Sequence, residues 1–261
     1  MMGKAETQGA LWSKQSQDWA IMQEPLHSPL WEIMLDKILT GSGTHFLDAG
    51  CGGGGASVLA AERGAQVSGL DAAEGLIAFA RERMPNGDFR VGDIESLPYD
   101  NGVFDAVFAA NAVQYSENRV NALRELGRVC KPKGRVVASL FSHPEKVQFS
   151  VIFKAIGDAM PKSPSGGGPF ELSAPGILES LFEDAGLNVI ESGEVNCPFS
   201  YSDFDEFWRA NAAAGPFQGM IQVIGEEKLK TAVTDAVEEF RLDNGGYLIE
   251  PNFFKYVVAT H

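Results

Sequence analysis

The chain is poor in cysteine, in positive charge and in long apolar runs, and each shortage excludes something. Cys51, Cys130 and Cys197 are the only cysteines among 261 residues. So few, and an odd number, do not make a disulfide framework, and they fit a reducing compartment. Lys and Arg number 21 against 35 Asp and Glu, a formal net charge of -14. Bulk electrostatics then disfavour nucleic acid and anionic membranes as partners, and no run of Lys or Arg builds a local basic groove. No apolar run reaches the roughly 20 residues that cross a bilayer, and the opening MMGKAETQGA lacks the apolar core of a signal peptide. The expectation is a cytoplasmic protein, monomer or homodimer, with a small-molecule substrate and no nucleic acid or membrane partner.

What is present is enough apolar residue for one large core, 44% of the chain, and a regular rhythm. From His45 short apolar runs alternate with helical stretches. The runs are HFLDAG, QVSGLD, DFRVGD, FDAVFAANAV and RVVASLF. Between them lie GASVLAAERG, AAEGLIAFARERM (stopped by Pro85) and ENRVNALRELGRVC, whose Val120, Leu123, Gly127 and Cys130 recur at helical spacing. Such alternation predicts a doubly wound α/β sheet with parallel strands. Upstream, residues 25–39 read as a helix with Leu30, Ile33, Met34 and Ile38 inward. After His143 the rhythm breaks. PKSPSGGGPFELSAPG reads as a loop in which Gly166–Gly168 form either a lid hinge or plain flexible chain. GILESLFEDAG is a helix, LNVIES a strand, residues 202–241 a helical cover and NFFKYVVAT a closing strand. The divisions expected within a single structural domain are residues 1–43 as an N-terminal helical segment, 44–145 as the ligand-binding core, and 146–261 as sheet completion with a helical cover.

The richest local signal is LDAGCGGGGASVLA. Gly50, Gly52 and Gly55 satisfy G-x-G-x-x-G, and Asp71 follows about 20 residues on, which is also the fingerprint of a dinucleotide site. Charge points elsewhere. A dinucleotide sets its pyrophosphate on this turn against the positive end of the next helix, and Asp48 would face that double negative charge. Asp48 suits a ligand whose near end is cationic. S-adenosylmethionine carries an ammonium and a sulfonium and no phosphate. The later strand ends agree: Asp71, beside the small Ala72, is placed to accept ribose hydroxyls. Asp93, followed by Ile94, is placed to accept from an adenine amino group. Each acid read singly is equally a helix-capping residue; three at successive strand ends make the ligand reading.

LDAGCGGG, GLDAAEGLIAFAR, GDIESLPYDNGVFDAVFAANAVQY and LRELGRVCKPKGRV together resemble the class I S-adenosylmethionine-dependent methyltransferases. The similarity is to the small-molecule branch that includes the ubiquinone and menaquinone methyltransferases. The resemblance implies a Rossmann-like sheet of seven strands, the last antiparallel, here NFFKYVVAT, under a helical cover. It implies S-adenosyl-L-methionine as cofactor, with contacts at Asp48, Gly50, Cys51, Gly52, Asp71, Ala72, Asp93, Ile94 and Asn111. The upstream WSKQSQDWA is similar to a segment that folds over the methionine end, which nominates Trp19 and, after it, Trp12 and Gln17. The turn supplies the family's G-x-G-x-G at Gly50, Gly52 and Gly54. Gly53 and Gly55 are extra, and nothing in the sequence explains them.

Methyl transfer needs alignment above all, and a base only where the acceptor must lose a proton. Two histidines are candidates for that base: His143, after the fifth strand, and His27, at the start of the upstream helix. Each has a solvated-surface reading beside it. Cys51 in the turn reads as a small packing residue rather than a nucleophile, and no Cys/His spacing marks a metal site. For the acceptor pocket the candidates are Gln114 and Tyr115, at the end of strand four, and Tyr201 and Trp208 in the aromatic cover. That cover also contains Phe199, Phe204, Phe207, Phe217 and Met220, and it either lines a pocket or packs the cover down. The expected activity is methyl transfer to O, N or C of a small, partly apolar metabolite. The alternatives are an NAD-dependent oxidoreductase and a non-catalytic S-adenosylmethionine-binding module.

Overall fold

The fold was analysed in a computed structural model, which describes residues 3–161 and 168–261. Seven strands form one sheet in the order β3-β2-β1-β4-β5-β9-β6. They are β1 (His45–Ala49), β2 (Gln66–Asp71), β3 (Asp88–Val91), β4 (Phe104–Ala110), β5 (Cys130–Phe141), β6 (Asn188–Asn196) and β9 (Phe253–Thr260). The first five pair in parallel, and β9 runs antiparallel between β5 and β6. This is the expected seven-stranded class I architecture, with the closing strand where NFFKYVVAT stands. β7 (Phe199–Tyr201) and β8 (Tyr247–Ile249) make a separate antiparallel pair under the cover.

Helices flank both faces. They are α1 (Lys4–Trp12), α2 (Ser16–Asp18), α3 (Ser28–Lys37), α4 (Gly55–Glu62), α5 (Glu74–Arg83), α6 (Arg119–Val129), α7 (Ser150–Ala159), α8 (Ile177–Asp184), α9 (Phe204–Ala212), α10 (Gly215–Ile224) and α11 (Glu226–Val237). A π-turn, Trp19–Gln23, and a 3-10 turn, Glu24–His27, lead into α3. Alternating residues of each strand feed two cores. Phe46 and Phe108 face α3, α4 and the cover, whereas Leu47, Val107 and Ala109 face α6 and α8. The Asn118 side chain caps α6 by accepting from Asn121 N at 2.9 Å, and Asp203 caps α9 in the same way from Glu206 N at 2.8 Å.

Two local expectations are corrected and one is refined. Ile33 is exposed while Leu30, Met34 and Ile38 are buried, because Leu35 takes the inward place beside Met34. In α6 the buried face is carried by Ala122, Leu123, Leu126 and Gly127, with Val120 at its edge. Residues 202–241 are three helices, broken at Ala214–Gly215 and at Gly225. Gly166 and Gly167 of the hinge motif lie outside the described residues. Among the described residues no helix is long and apolar enough to cross a membrane.

Candidate functional site

In an open α/β sheet the ligand crevice lies beyond the carboxyl ends of the strands, where the strand order reverses. Here that point is between β1 and β4, and the glycine turn after β1 opens onto the principal cavity. Gly50, Gly52 and Gly54 adopt φ of 82°, 54° and 81°, a region that side chains disfavour. Space is the second constraint at Gly50, where a Cβ would stand 2.4 Å from that of Ala112. Gly50 N and Cys51 N both donate to Leu70 O, at 2.7 and 3.0 Å, which ties the turn to the end of β2.

All ten residues nominated for the cofactor line this cavity: Trp19, Asp48, Gly50, Cys51, Gly52, Asp71, Ala72, Asp93, Ile94 and Asn111. Asp48 is 2% exposed and accepts the Ser57 hydroxyl at 2.7 Å. Burial, reinforced by the charges of Glu24 and Asp71, pushes its pKa up to about 7. Asp71 accepts from Gly52 N at 3.0 Å and Ala73 N at 2.8 Å, one bond to each oxygen. Each oxygen keeps a lone pair for a further donor. Burial raises the Asp71 pKa despite those bonds. Asp93 accepts from Glu95 N at 2.9 Å. Asn111 sits at φ 52°, and its buried Oδ1 has no partner; backbone strain of this kind clusters where a ligand is held. Burial drives the Cys51 thiol well above its ordinary pKa, consistent with a packing role and not with a thiolate nucleophile.

Trp12 lines the cavity as well, edge-on to Trp19 at 4.7 Å and to Tyr115 at 5.7 Å between ring centroids. Gln17 is exposed and does not reach it. On the acceptor side Gln114 and Tyr115 line the cavity, and Gln114 Oε1 is buried without a partner. Tyr201 and Trp208 do not line it. The Tyr201 hydroxyl is spent on Gln23 Oε1 at 2.9 Å and Asn211 Nδ2 at 3.2 Å, so Tyr201 stands behind the wall and orients two amides that do line it. Trp208 is buried within the cover instead, donating from Nε1 to Glu226 at 3.3 Å and joining α9 to α11. His143 is corrected likewise: it faces Glu145 at 3.5 Å with 43% of its side chain exposed, outside the cavity.

His27 is inside, ringed by Trp19, Trp31, Phe199 and Phe254. Its Nδ1 lies 3.2 Å from Glu24 O. A carbonyl only accepts, so Nδ1 carries the proton and Nε2 keeps a lone pair. Burial lowers the pKa to about 4, which keeps the ring neutral near pH 7. Phe141, Phe149, Phe153, Phe199, Phe217 and Phe254 complete this chamber. The sequence reading did not nominate Phe141, Phe149, Phe153, Phe254, Gln23, Asn211 or Glu24. Only the unexplained glycines hinted at Glu24, because a Cβ on Gly53 would stand 2.8 Å from its Oε2.

The arrangement was weighed against S-adenosylmethionine by the chemistry of its groups. Glu24, Asp48, Asp71, Asp93 and Glu95 line the cavity, and among the described residues no Lys or Arg does. Two carboxyls held near pH 7 by burial call for a positive charge. Asp71 and the unpaired amides of Asn111 and Gln114 offer acceptors to hydroxyl and amino groups. The residues fit.

Residues 47–138 match the family described as a methyltransferase domain. With the sheet order and the strand-end acids described above, this stretch is similar to the methyltransferase domains of the class I kind. The chain is 35% identical over 130 residues to a malonyl-[acyl-carrier protein] O-methyltransferase of Erwinia pyrifoliae, covering 50% of each chain. It is 27% identical over 207 residues to a ubiquinone biosynthesis O-methyltransferase of Coxiella burnetii, covering 75% of this chain and 88% of that one. Among solved structures it resembles the [4+2]-cyclase SpnF, with a TM-score of 0.56, 21% identity, and coverage of 88% of this chain and 79% of that one. The chain spans about half the length of the curated relatives it matches first.

Proposed function

We propose that the protein transfers the methyl group of S-adenosylmethionine to a hydroxyl of a small, uncharged, largely aromatic metabolite. When bound, S-adenosylmethionine supplies a methyl group on a positively charged sulfur that leaves as a neutral thioether. Asp48, Asp71 and Asp93 hold the donor, and Trp12 and Trp19 close over it and exclude water. The phenylalanine chamber orients the acceptor, which supplies the alignment on which such a displacement depends. His27 Nε2 takes the hydroxyl proton as the acceptor oxygen is methylated. The positive charge then moves from the donor side to the imidazole instead of being newly created in an apolar cavity, which eases protonation of a ring whose own pKa is low.

The observation that carries this reading is the cavity's charge: acids on the donor side, phenylalanines on the acceptor side, and no cationic side chain among the described residues. An acidic acceptor finds no counter-charge there, so the malonyl group named for the Erwinia relative is not the acceptor proposed here. The oxygen acceptor is supported by the free lone pair of His27 and by the resemblance to the Coxiella O-methyltransferase. The experiment is a turnover screen following S-adenosylhomocysteine release with neutral phenols and with aromatic carboxylic acids. Release with phenols alone is expected. Release with the acids alone refutes the reading.

A further inference from the structure

The glycine turn poses a problem of selectivity. Gly50, Gly52 and Gly55 with Asp71 meet the requirements of a dinucleotide loop, and α4 begins at Gly55, the last of the three glycines. Free N–H groups at such a helix start bind phosphate. In this chain the seat is already taken. Glu24, 4% exposed, reaches in from the N-terminal segment, and its Oε1 accepts from Gly55 N at 3.2 Å. Its Oε2 accepts from Arg83 Nη1 at 3.2 Å, and Arg83 Nη2 donates to Ala20 O at 2.9 Å. One guanidinium thus clamps both the carboxylate and the backbone that delivers it.

The extra glycines acquire a purpose in the same geometry. A Cβ on Gly53 would stand 2.6 Å from Ala20 Cβ and 2.8 Å from Glu24 Oε2. One on Gly55 would stand 2.7 Å from the Trp31 ring and 3.4 Å from Glu24 Cδ. Side chains at either place would push the Glu24 segment off the turn. The carboxylate also lines the cavity beside Asp48 and Asp71, so three acids face whatever enters.

We propose that Glu24 is the specificity determinant of the glycine turn: by seating its own carboxylate at the start of α4 it shuts out phosphate-bearing nucleotides and reserves the turn for a cationic ligand. Because Glu24 arrives with the N-terminal segment, docking of that segment brings a buried carboxyl to the turn, and a bound cation favours its ionised form. Ligand binding and closure of the segment are therefore coupled. The proposal rests on the function proposed above for its ligand.

The test compares wild type, Glu24→Gln and Arg83→Met by calorimetric titration with S-adenosylmethionine, with NADH as the phosphate-bearing probe and thermal unfolding as the control for folding. Glu24→Gln keeps the shape and an acceptor for Gly55 N, and removes the charge together with the acceptor that Arg83 uses. It is expected to weaken S-adenosylmethionine at least tenfold, with the unfolding midpoint lowered no more than by Arg83→Met. Arg83→Met leaves the carboxyl and removes the clamp; it is expected to lower the midpoint and, titrated above pH 8 where the carboxyl ionises more readily, to change that affinity less than threefold. A Glu24→Gln protein within threefold of wild type overturns the proposal. So do two variants that lose affinity alike, since Glu24 would then act only as the structural partner of Arg83. Wild type that binds NADH and not S-adenosylmethionine refutes the proposed function as well, which separates the two failures.

Discussion

Replacing Asp48 by asparagine tests the electrostatics of the pocket most sharply, because it moves ligand affinity and protein stability in opposite directions. Asparagine keeps the volume, and its Oδ1 still accepts the Ser57 hydroxyl that Asp48 accepts at 2.7 Å. What is lost is the charge. A unit pair about 4–6 Å apart at an effective dielectric of about 20 is worth roughly 3–4 kcal/mol. Asp48 has a pKa of about 7 in the empty site, so part of that gain goes into ionising it. At pH 7 the cost is about 0.4 kcal/mol, the free energy of emptying a half-protonated group. Allowing for residual screening, Asp48→Asn is expected to weaken S-adenosylmethionine by about 2–3 kcal/mol, or about 30–150-fold. The empty variant is expected to unfold at a higher temperature than wild type at pH 8, since a buried charge has been removed. Calorimetry gives the first number and thermal unfolding the second. Unchanged affinity with unchanged stability would refute the charge reasoning.

Other consequences follow from the same geometry. Glu24 and Asp48 have folded pKa values of about 7 against ordinary values of 4.5 and 3.8, so the native state holds protons that the unfolded chain releases. Their contribution to stability is present in acid and lost as pH rises through about 7. The unfolding midpoint of the empty protein should fall from pH 6 to pH 8, and saturating S-adenosylmethionine should flatten that slope; a rise in the empty protein would contradict the burial of these acids. His27→Asn should leave S-adenosylmethionine binding within threefold and lower turnover by about 10²–10⁴-fold. Unimpaired turnover removes His27 from the chemistry. Gly55→Ala should cost about 1–3 kcal/mol in denaturant unfolding, because its methyl group meets the Trp31 ring at 2.7 Å. No loss would mean that Trp31 does not press on the turn.

The parallel half of the sheet was legible because each strand ends in its own punctuation. Asp48 with Gly50, Asp71 with Ala72, and Asp93 with Ile94 mark three successive strand ends, and burial on both faces made the runs of β1 and β4 nearly continuous in apolar residues. The cofactor side of the cavity followed from those same residues. The acceptor side was not legible, because its wall is assembled from distant segments. Phe141 ends β5, Phe149 precedes α7, Phe199 lies in β7 and Phe254 in β9, and no sequence period links them. Tyr201 and Trp208 were nominated from aromatic density, which does not distinguish a ring facing the cavity from one behind it. Glu24 carries no signal in the sequence. Its meaning lies in a contact across 31 positions, with Gly55, and another across 59, with Arg83.

The central claim is that this pocket selects a positively charged sulfur compound over a diphosphate. Native mass spectrometry of the wild-type protein with equimolar S-adenosylmethionine and NADH tests it most directly. The account predicts a single adduct with the mass of S-adenosylmethionine. An adduct with NADH in its place would contradict it.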